Sequence, residues 1–420
     1  MRAQPGRGVR VLLSEGSSTS AREAVTALAL AGHTVEVCDP DPFCLTRFSR
    51  LVSKFHRCPG LRADPRGYLD FILALIRRRH FDVLLPIHEQ GFLFARERER
   101  LEPYVAIALP SFEGYRTAHR KASFGRLLSE LGLAQPETRI VADAGDLRAV
   151  DQFPVVVKTS IGTASRGVWM VRDRSELHAA ADALAGADAF ADEVLVQMLV
   201  EGAVEHAQGV FCRGRLVAIH ACRQVARGAG GGDAIKQSIH RPAVRAHLAR
   251  IGERLAWHGA LSVDYIIPSD GLDVPLYIDC NPRLVEPMNA LLSGNDLADL
   301  LVRVSLGEDP AGVAQGRAGT LSHQGLQALL GCALAGGSRR DIWRECRRLA
   351  TGRGPYAGSV EELTPARLDW PSVIPELIVA LRLLASPKAA HDLPGRFGSH
   401  LIDIATARAI AAPSDQPPGG

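Results

Sequence analysis

The stretch Leu261 to Arg283, LSVDYIIPSDGLDVPLYIDCNPR, constrains this chain more than any other. Two apolar runs flank the turn-rich Ser269-Asp270-Gly271-Leu272-Asp273, so the segment reads as an antiparallel hairpin. In a symmetric hairpin Pro268 faces Pro275 and Asp264 faces Asp279. Strand alternation puts Asn281 on the face of Asp279. Carboxylates opposed in this way have Cβ atoms ~5 Å apart and repel. A divalent cation relieves that repulsion, and two carboxylates with an amide oxygen are hard-oxygen ligands suited to Mg²⁺. Mg²⁺ completes its shell with phosphate oxygens and water. Asp264, Asp279 and Asn281 therefore point to a nucleoside triphosphate. Arg283, two residues beyond Asn281 and stiffened by Pro282, is placed to reach a transferred phosphoryl group or an acyl phosphate. The plain alternative is a solvent-facing hairpin whose acids are hydrated, and a one-residue bulge would alter the register. On repulsion alone, removing one acid is expected to stabilise the metal-free protein.

A second stretch carries the same chemistry. The apolar strand Val155-Val156-Val157 ends in Lys158, followed by the small-residue loop Thr159 to Gly167, which includes Ser165. Such a loop offers backbone N–H donors and the lysine a point charge, a combination that meets phosphates. It is not a G-x-x-x-x-G-K-[ST] loop, because Val168 follows Gly167. The alternative is a flexible loop with a snorkelling lysine. Lys121 opens a helix running to about Leu131 and is either an exposed charge or a partner for the same phosphates. Gln197, Met198 and Leu199 read as a hinge whose backbone borders adenine, with Glu201 or Glu205 on ribose hydroxyls. Gly228 to Asp233 with Lys236 reads as a mobile lid, a substrate loop or a plain linker.

The amino-terminal third alternates strand and helix: Val9–Leu13, a helix over about 21–31, Thr34–Cys38, a helix over 68–79, and 82–86. That order predicts a parallel sheet with crossovers and a ligand crevice at the strand ends, where Ser14–Ser20 and Pro86–Gln90 lie. Gly16 is followed by serines, so the dinucleotide fingerprint is missing. The serine loop holds an anion at the helix start or simply caps it. His88-Glu89 reads as a buried or capping pair. From Asp309 to about 412 the pattern is mainly helical. Trp370 to Ala385 forms an apolar helix expected to pack on the catalytic domain or a dimer partner. The Pro/Gly-rich tail is expected to be disordered.

Composition excludes several classes. The 420 residues hold 49 Lys+Arg against 46 Asp+Glu, a net charge of +3, too balanced for a nucleic-acid-wrapping surface. The eight cysteines include no C-x-x-C pair, which argues against a zinc module and a disulfide scaffold. No secretory segment or membrane span is expected, and a cytoplasmic location follows. No internal repeat is present.

Taken in order, these elements resemble the ATP-grasp superfamily over roughly residues 9 to 310. The elements are the Rossmann-like start, the helix opening with Lys121, the strand ending in Lys158, the hinge Val196 to Gly202, and His258 to Asp264 running to Asp279-Cys280-Asn281-Pro282-Arg283. The last matches the E-x-N-P-R common in that family, with Asp279 in place of Glu. The resemblance implies an α/β and α+β protein. Its parts are a Rossmann-like domain over 1–112, an ATP-grasp fold over 113–310 whose two α+β subdomains sandwich ATP (lid about 113–193, catalytic part about 194–310), a mostly helical region over 311–412 and a disordered tail over 413–420. It implies that Lys121, Lys158, Ser165 and Gly167 contact ATP phosphates, that Gln197, Met198 and Leu199 meet adenine, and that Glu205 meets the ribose. Asp264, Asp279 and Asn281 would hold one or two Mg²⁺ (or Mn²⁺) ions, and Arg283 and Lys158 would serve catalysis. The implied activity is that of a carboxylate–amine ligase acting on small molecules, with a homodimer among the implied partners. Stand-alone ligases of this kind also resemble one half of the carbamoyl-phosphate synthetase large chain, whose activity is discounted for want of a second half and a glutaminase region. Open alternatives are another acceptor such as a thiol, bicarbonate as donor, or a nucleotide-binding module without turnover.

Overall fold

The first sheet is parallel, ordered β3-β2-β1-β4, from β1 Arg10–Leu13, β2 Thr34–Asp39, β3 Val52–Arg57 and β4 Val83–Leu85. The central strand β1 and its neighbour β4 are short and apolar because both their faces are covered, whereas the edge strand β3 is polar and largely exposed. Leu12 and Leu84 pack towards Leu69, Ile72 and Phe92. Val11 and Leu13 pack towards Val25, Leu28, Met288 and Leu301. The second face thus joins this sheet to the rest of the protein. The computed structural model describes residues 8–162, 167–392 and 401–412, so Ser165 and the tail 413–420 lie outside the described residues.

The second sheet, β5-β8-β6-β7, is antiparallel: β5 Thr138–Val141, β6 Val155–Thr159, β7 Val168–Val171 and β8 Val194–Met198. Val155, Val157 and Val196 face a core with Leu177 and Leu184 of the helix Arg174–Gly186. Alternation sends Val156, Lys158 and Gln197 to the other face.

The third sheet has eight strands. Its path is β13-β12-β9-β10-β11-β15-β16, with β14 on β10. The strands are β9 Gly202–Cys212, β10 Arg215–Arg227, β11 Asp233–Ile239, β12 Gly259–Pro268, β13 Leu276–Asn281, β14 Ala314–Gln315, β15 Leu321–His323 and β16 Val360–Glu361. The segment after 310 therefore adds three short strands to this sheet besides its helices Gly325–Leu334, Arg339–Thr351 and Val373–Ala385. Two- and three-residue strands carry no readable period. Val379 and Leu383 of the last helix are buried, while Trp370, Leu377 and Leu381 are exposed. No helix among the described residues is long and apolar enough to cross a membrane.

Glycine run and lysine behave differently from the lid expected of them. Gly228 packs against Gln327, and Gly331 against Gly228, so closely that a Cβ would clash. The run is a tight connection rather than a free flap. Lys236 is 3% exposed and bonded to Glu286 and Glu362 at 2.8 and 3.0 Å. Glu23 joins the same cluster, and burial, followed by repulsion from Glu362, raises its pKa well above the usual range. The lysine ties the helix Thr19–Leu30, the residues after the hairpin and the segment around 362 together.

Candidate active site

The hairpin is β12–β13, and its register places Asp264 opposite Asp279 and Ser262 opposite Asn281. The expected face is therefore present: Asp264, Asp279 and Asn281 share it. The mirror symmetry does not extend to the turn. Asp264 pairs with Asp279 but Tyr265 pairs with Tyr277, leaving Ile278 as a bulge. Beyond it every pair shifts by one, so Pro268 and Pro275 do not face each other.

The two acids are not left to repel. Asp279 lies 3.2 Å from Lys121, whose Nζ also donates to the Gly162 carbonyl at 2.7 Å. Asp264 lies 2.7 Å from Nδ1 of His206, and Asp233 lies 3.3 Å from Nε2 of the same ring. Burial alone would lower the His206 pKa, but Asp264 and Asp233 raise it well above 6.5. The imidazolium then offsets both carboxylates. Sequence reasoning missed His206. The signal was its place directly opposite Asp264 on β9.

The same parity settles Glu205. It pairs with Tyr265 and so faces away from Asp264. Its carboxylate is fully buried and accepts from Arg241 at 2.6 and 2.7 Å and from Arg223 at 2.9 Å. Glu205, expected at the ribose, is thus engaged by two arginines, and on β9 the side chain aimed at the acids is that of His206.

Lys158 crosses between two sheets. From β6 its Nζ donates to Gln197 Oε1 at 2.8 Å and to the carbonyl of Ile278 at 3.0 Å. It is 7% exposed. Burial lowers its pKa to about 8, with Lys121 acting in the same direction and Asp279 and Asp264 opposing. Gln197 also donates to Thr138 at 2.9 Å. The Met198 and Leu199 amides donate to the Glu137 and Pro154 carbonyls, so these donors are engaged within the chain. Gly167 has a φ of +75° and packs on Thr159, whose amide donates to the Gly167 carbonyl. Gly167 is thereby pinned at the end of β6.

Arg283 is 7% exposed, its guanidinium 3.3 Å from the Leu284 carbonyl and 3.4 Å from Asn281 Oδ1. Burial lowers its pKa from the usual arginine value, while Glu89 opposes the shift. Glu89, Tyr115 and His119 share a small cleft with Lys121, Asp279, Asn281 and Arg283. Glu89 accepts from the Ile402 amide, so the 86–90 loop also holds the carboxyl-terminal segment. The expected buried pair His88-Glu89 is indeed buried.

The serine loop answers its own question. The Glu15 carboxylate accepts from the Ser17 and Ser18 amides at 2.6 and 3.0 Å, and Ser18 caps the helix Thr19–Leu30. The chain supplies its own anion there. Ser14 joins this loop to the other one: its amide donates to Leu85 and its hydroxyl accepts from Ile87 at 3.1 Å.

No family model matches the chain. It is 28% identical over 257 residues to the carbamoyl phosphate synthase large chain of Rubrobacter xylanophilus, covering 57% of this chain and 24% of that one. It is 29% identical over 255 residues to a probable alpha-L-glutamate ligase of an Enterobacter species, covering 59% of this chain and 75% of that one. The chain thus spans about a quarter of the first relative's length. Among solved structures, the biotin carboxylase domain of the Hydrogenobacter thermophilus 2-oxoglutarate carboxylase superposes with a TM-score of 0.59 at 15% identity, covering 74% of this chain and 73% of that one.

The chain has the ATP-grasp fold. The resemblance read from its motifs is borne out. An ATP-grasp protein clasps its nucleotide between two sheets, and here Lys158 reaches the Ile278 carbonyl of the hairpin and Lys121 reaches its acid Asp279. Two partly exposed carboxylates, each with 27% of its side chain open, and an amide oxygen on one face form a donor set that fits Mg²⁺.

Proposed function

We propose that this chain is an ATP- and Mg²⁺-dependent ligase that activates a carboxylate as an acyl phosphate and passes the acyl group to an amine. The observation that carries this reading is the juxtaposition of Asp279 with Lys121 and of Lys158 with the hairpin carbonyl at Ile278. Asp264, Asp279 and Asn281 would hold Mg²⁺, which when bound neutralises phosphate charge. The lysines would bind the ATP phosphates, Gln197 to Leu199 would border adenine, and Gly167 would shape the phosphate loop. In the reaction a carboxylate oxygen attacks the γ-phosphorus and ADP leaves. Amine nitrogen then attacks the carbonyl carbon, phosphate departs and the nitrogen loses its proton. Both steps bring anions together, so positioned cations are what the protein has to supply. Arg283, buried beside Asn281, is suited to the acyl phosphate.

In this reading residues 1–112 form the Rossmann-like domain, 113–310 the ATP-grasp unit and 311–412 a carboxyl-terminal region; small-molecule substrates and a homodimer are part of it. The alpha-L-glutamate ligase relative supports amine as acceptor. The likeness to a biotin carboxylase domain solved with MgADP and bicarbonate favours bicarbonate donation as a second reading. ADP release measured with pooled carboxylates and amines, with and without bicarbonate, tests both. Release that requires a carboxylate and an amine supports the first, and release with bicarbonate alone supports the second. Nucleotide binding without ADP release under every mixture would leave a binding module.

A further inference from the structure

Away from the nucleotide cleft, a cavity of about 530 Å³ lies where the first domain meets the third sheet. None of its lining residues belongs to the site described above. Buried Val105, Ile107 and Leu109 line it together with Arg98, Arg213 and His258. Its volume is within the range of ligand pockets.

The two arginines are held differently. Arg98 is paired with Glu102 and donates to the Leu109 carbonyl at 2.9 Å, which fixes its guanidinium and balances its charge. Arg213 sits in the turn between β9 and β10 at a φ of +49°. A non-glycine residue held in that region is strained. Its backbone N–H donates weakly to His258 Nδ1 at 3.4 Å. Its guanidinium has no hydrogen-bond or ion-pair partner among the described residues. The turn thus keeps an arginine where glycine would be less strained, and that arginine is exposed at the rim of the cavity, while the acid that also lines it, Glu102, is taken up by Arg98. His258 reports the same excess of positive charge: burial, then Arg98 and Arg213, push its pKa below 6.5.

We propose that this cavity binds a small amphipathic anion, a carboxylate or phosphate monoester with an apolar body. The anionic head would meet Arg213 and Arg98, and the apolar body would lie on Val105, Ile107 and Leu109. Such a ligand would touch the first domain and the third sheet at once. The connection it would brace is already tight, because a Cβ at Gly259, the first residue of β12, would lie 2.4 Å from the Ala108 carbonyl. β12 and β9 are the strands that carry Asp264 and His206.

The test uses the full chain and the fluorescent probe 1-anilinonaphthalene-8-sulfonate, an apolar body with one anionic head. The expected result is a saturable fluorescence rise that phenyl phosphate or hexanoate displaces, and that weakens at least ~10-fold in Arg213→Gly. Glycine relieves the strained φ, so this variant is expected to fold, and its melting temperature checks that. Displacement by phenyl phosphate alone assigns a phosphate monoester, and displacement by hexanoate alone an alkyl carboxylate. Binding that is unchanged in Arg213→Gly, absent altogether, or displaced by neither anion overturns the proposal.

Discussion

Lys158 Nζ donates to the carbonyl of Ile278 across 3.0 Å, joining the smaller antiparallel sheet to the hairpin that carries both candidate metal acids. Ile278 is the bulged residue, without a cross-strand partner, and the lysine takes up its carbonyl. Burial brings the Lys158 pKa down to about 8. The ammonium is therefore charged below that value and neutral above it in the nucleotide-free protein. ATP affinity is expected to be flat below about pH 8 and to fall by up to ~10-fold per unit above it. Calorimetric titration across that range checks this; affinity that holds steady well above pH 8 would show that the phosphates do not meet Lys158. Lys158→Ala is expected to cost at least ~100-fold in ADP release without unfolding the chain.

His206 stands between Asp264 and Asp233 and offsets both. His206→Gln keeps a hydrogen-bonding group but removes the charge, leaving two carboxylates facing each other across it. The variant is expected to melt several degrees lower than the parent without metal, in keeping with the cost of breaking a part-buried ion pair. MgATP is expected to narrow that gap, because cation charge at Asp264 replaces what the imidazolium supplied. A gap that is the same with and without MgATP would separate His206 from the metal site.

Asp279 reverses an expectation drawn from the hairpin alone. Two opposed carboxylates suggest that deleting one relieves repulsion. In the folded chain Asp279 is 3.2 Å from Lys121 and favours the charged form of Lys158. Asp279→Ala is therefore expected to destabilise the metal-free protein by about 1.5–3 kcal/mol, the size of a hydrogen bond to a charged group. It is also expected to abolish ADP release. Denaturant melts without magnesium decide the sign, and a more stable variant would mean that repulsion prevails.

These reversals mark where sequence reading stops. The apolar runs and the intervening turn made the Asp264–Asp279 register legible, since a slip by one residue would expose the whole buried face. Nothing in the residues marks Ile278 as a bulge, so the pairing beyond it was not legible. Lys121 and Lys158 were visible as cations next to a helix start and a small-residue loop. That Lys121 meets Asp279 needed the tertiary structure. Glu89, Tyr115 and His119 reach the Arg283 cleft from segments more than 150 residues away in the sequence, and no local pattern announces that. Gly228 to Gly232 suggested mobility by composition, whereas the missing Cβ atoms there make room for Gln327 and Gly331.

On β9 one residue of parity separates the side chain that faces the acids, His206, from the one held by arginines, Glu205. On β9 it points away from the face of Asp264 and is held by Arg241 and Arg223. Its replacement should therefore be felt in stability and not in nucleotide affinity. Glu205→Gln leaves Arg241, with 18% of its side chain exposed, beside a neutral buried amide. Removing one partner of such a pair costs about 3 kcal/mol. The ATP dissociation constant is expected to change less than ~2-fold at a temperature where the variant remains folded. Calorimetry for the first quantity and nucleotide titration for the second separate the two roles. A large loss of ATP affinity with unchanged melting would return Glu205 to the nucleotide and place the bound ribose on the opposite side of β9 from the acids.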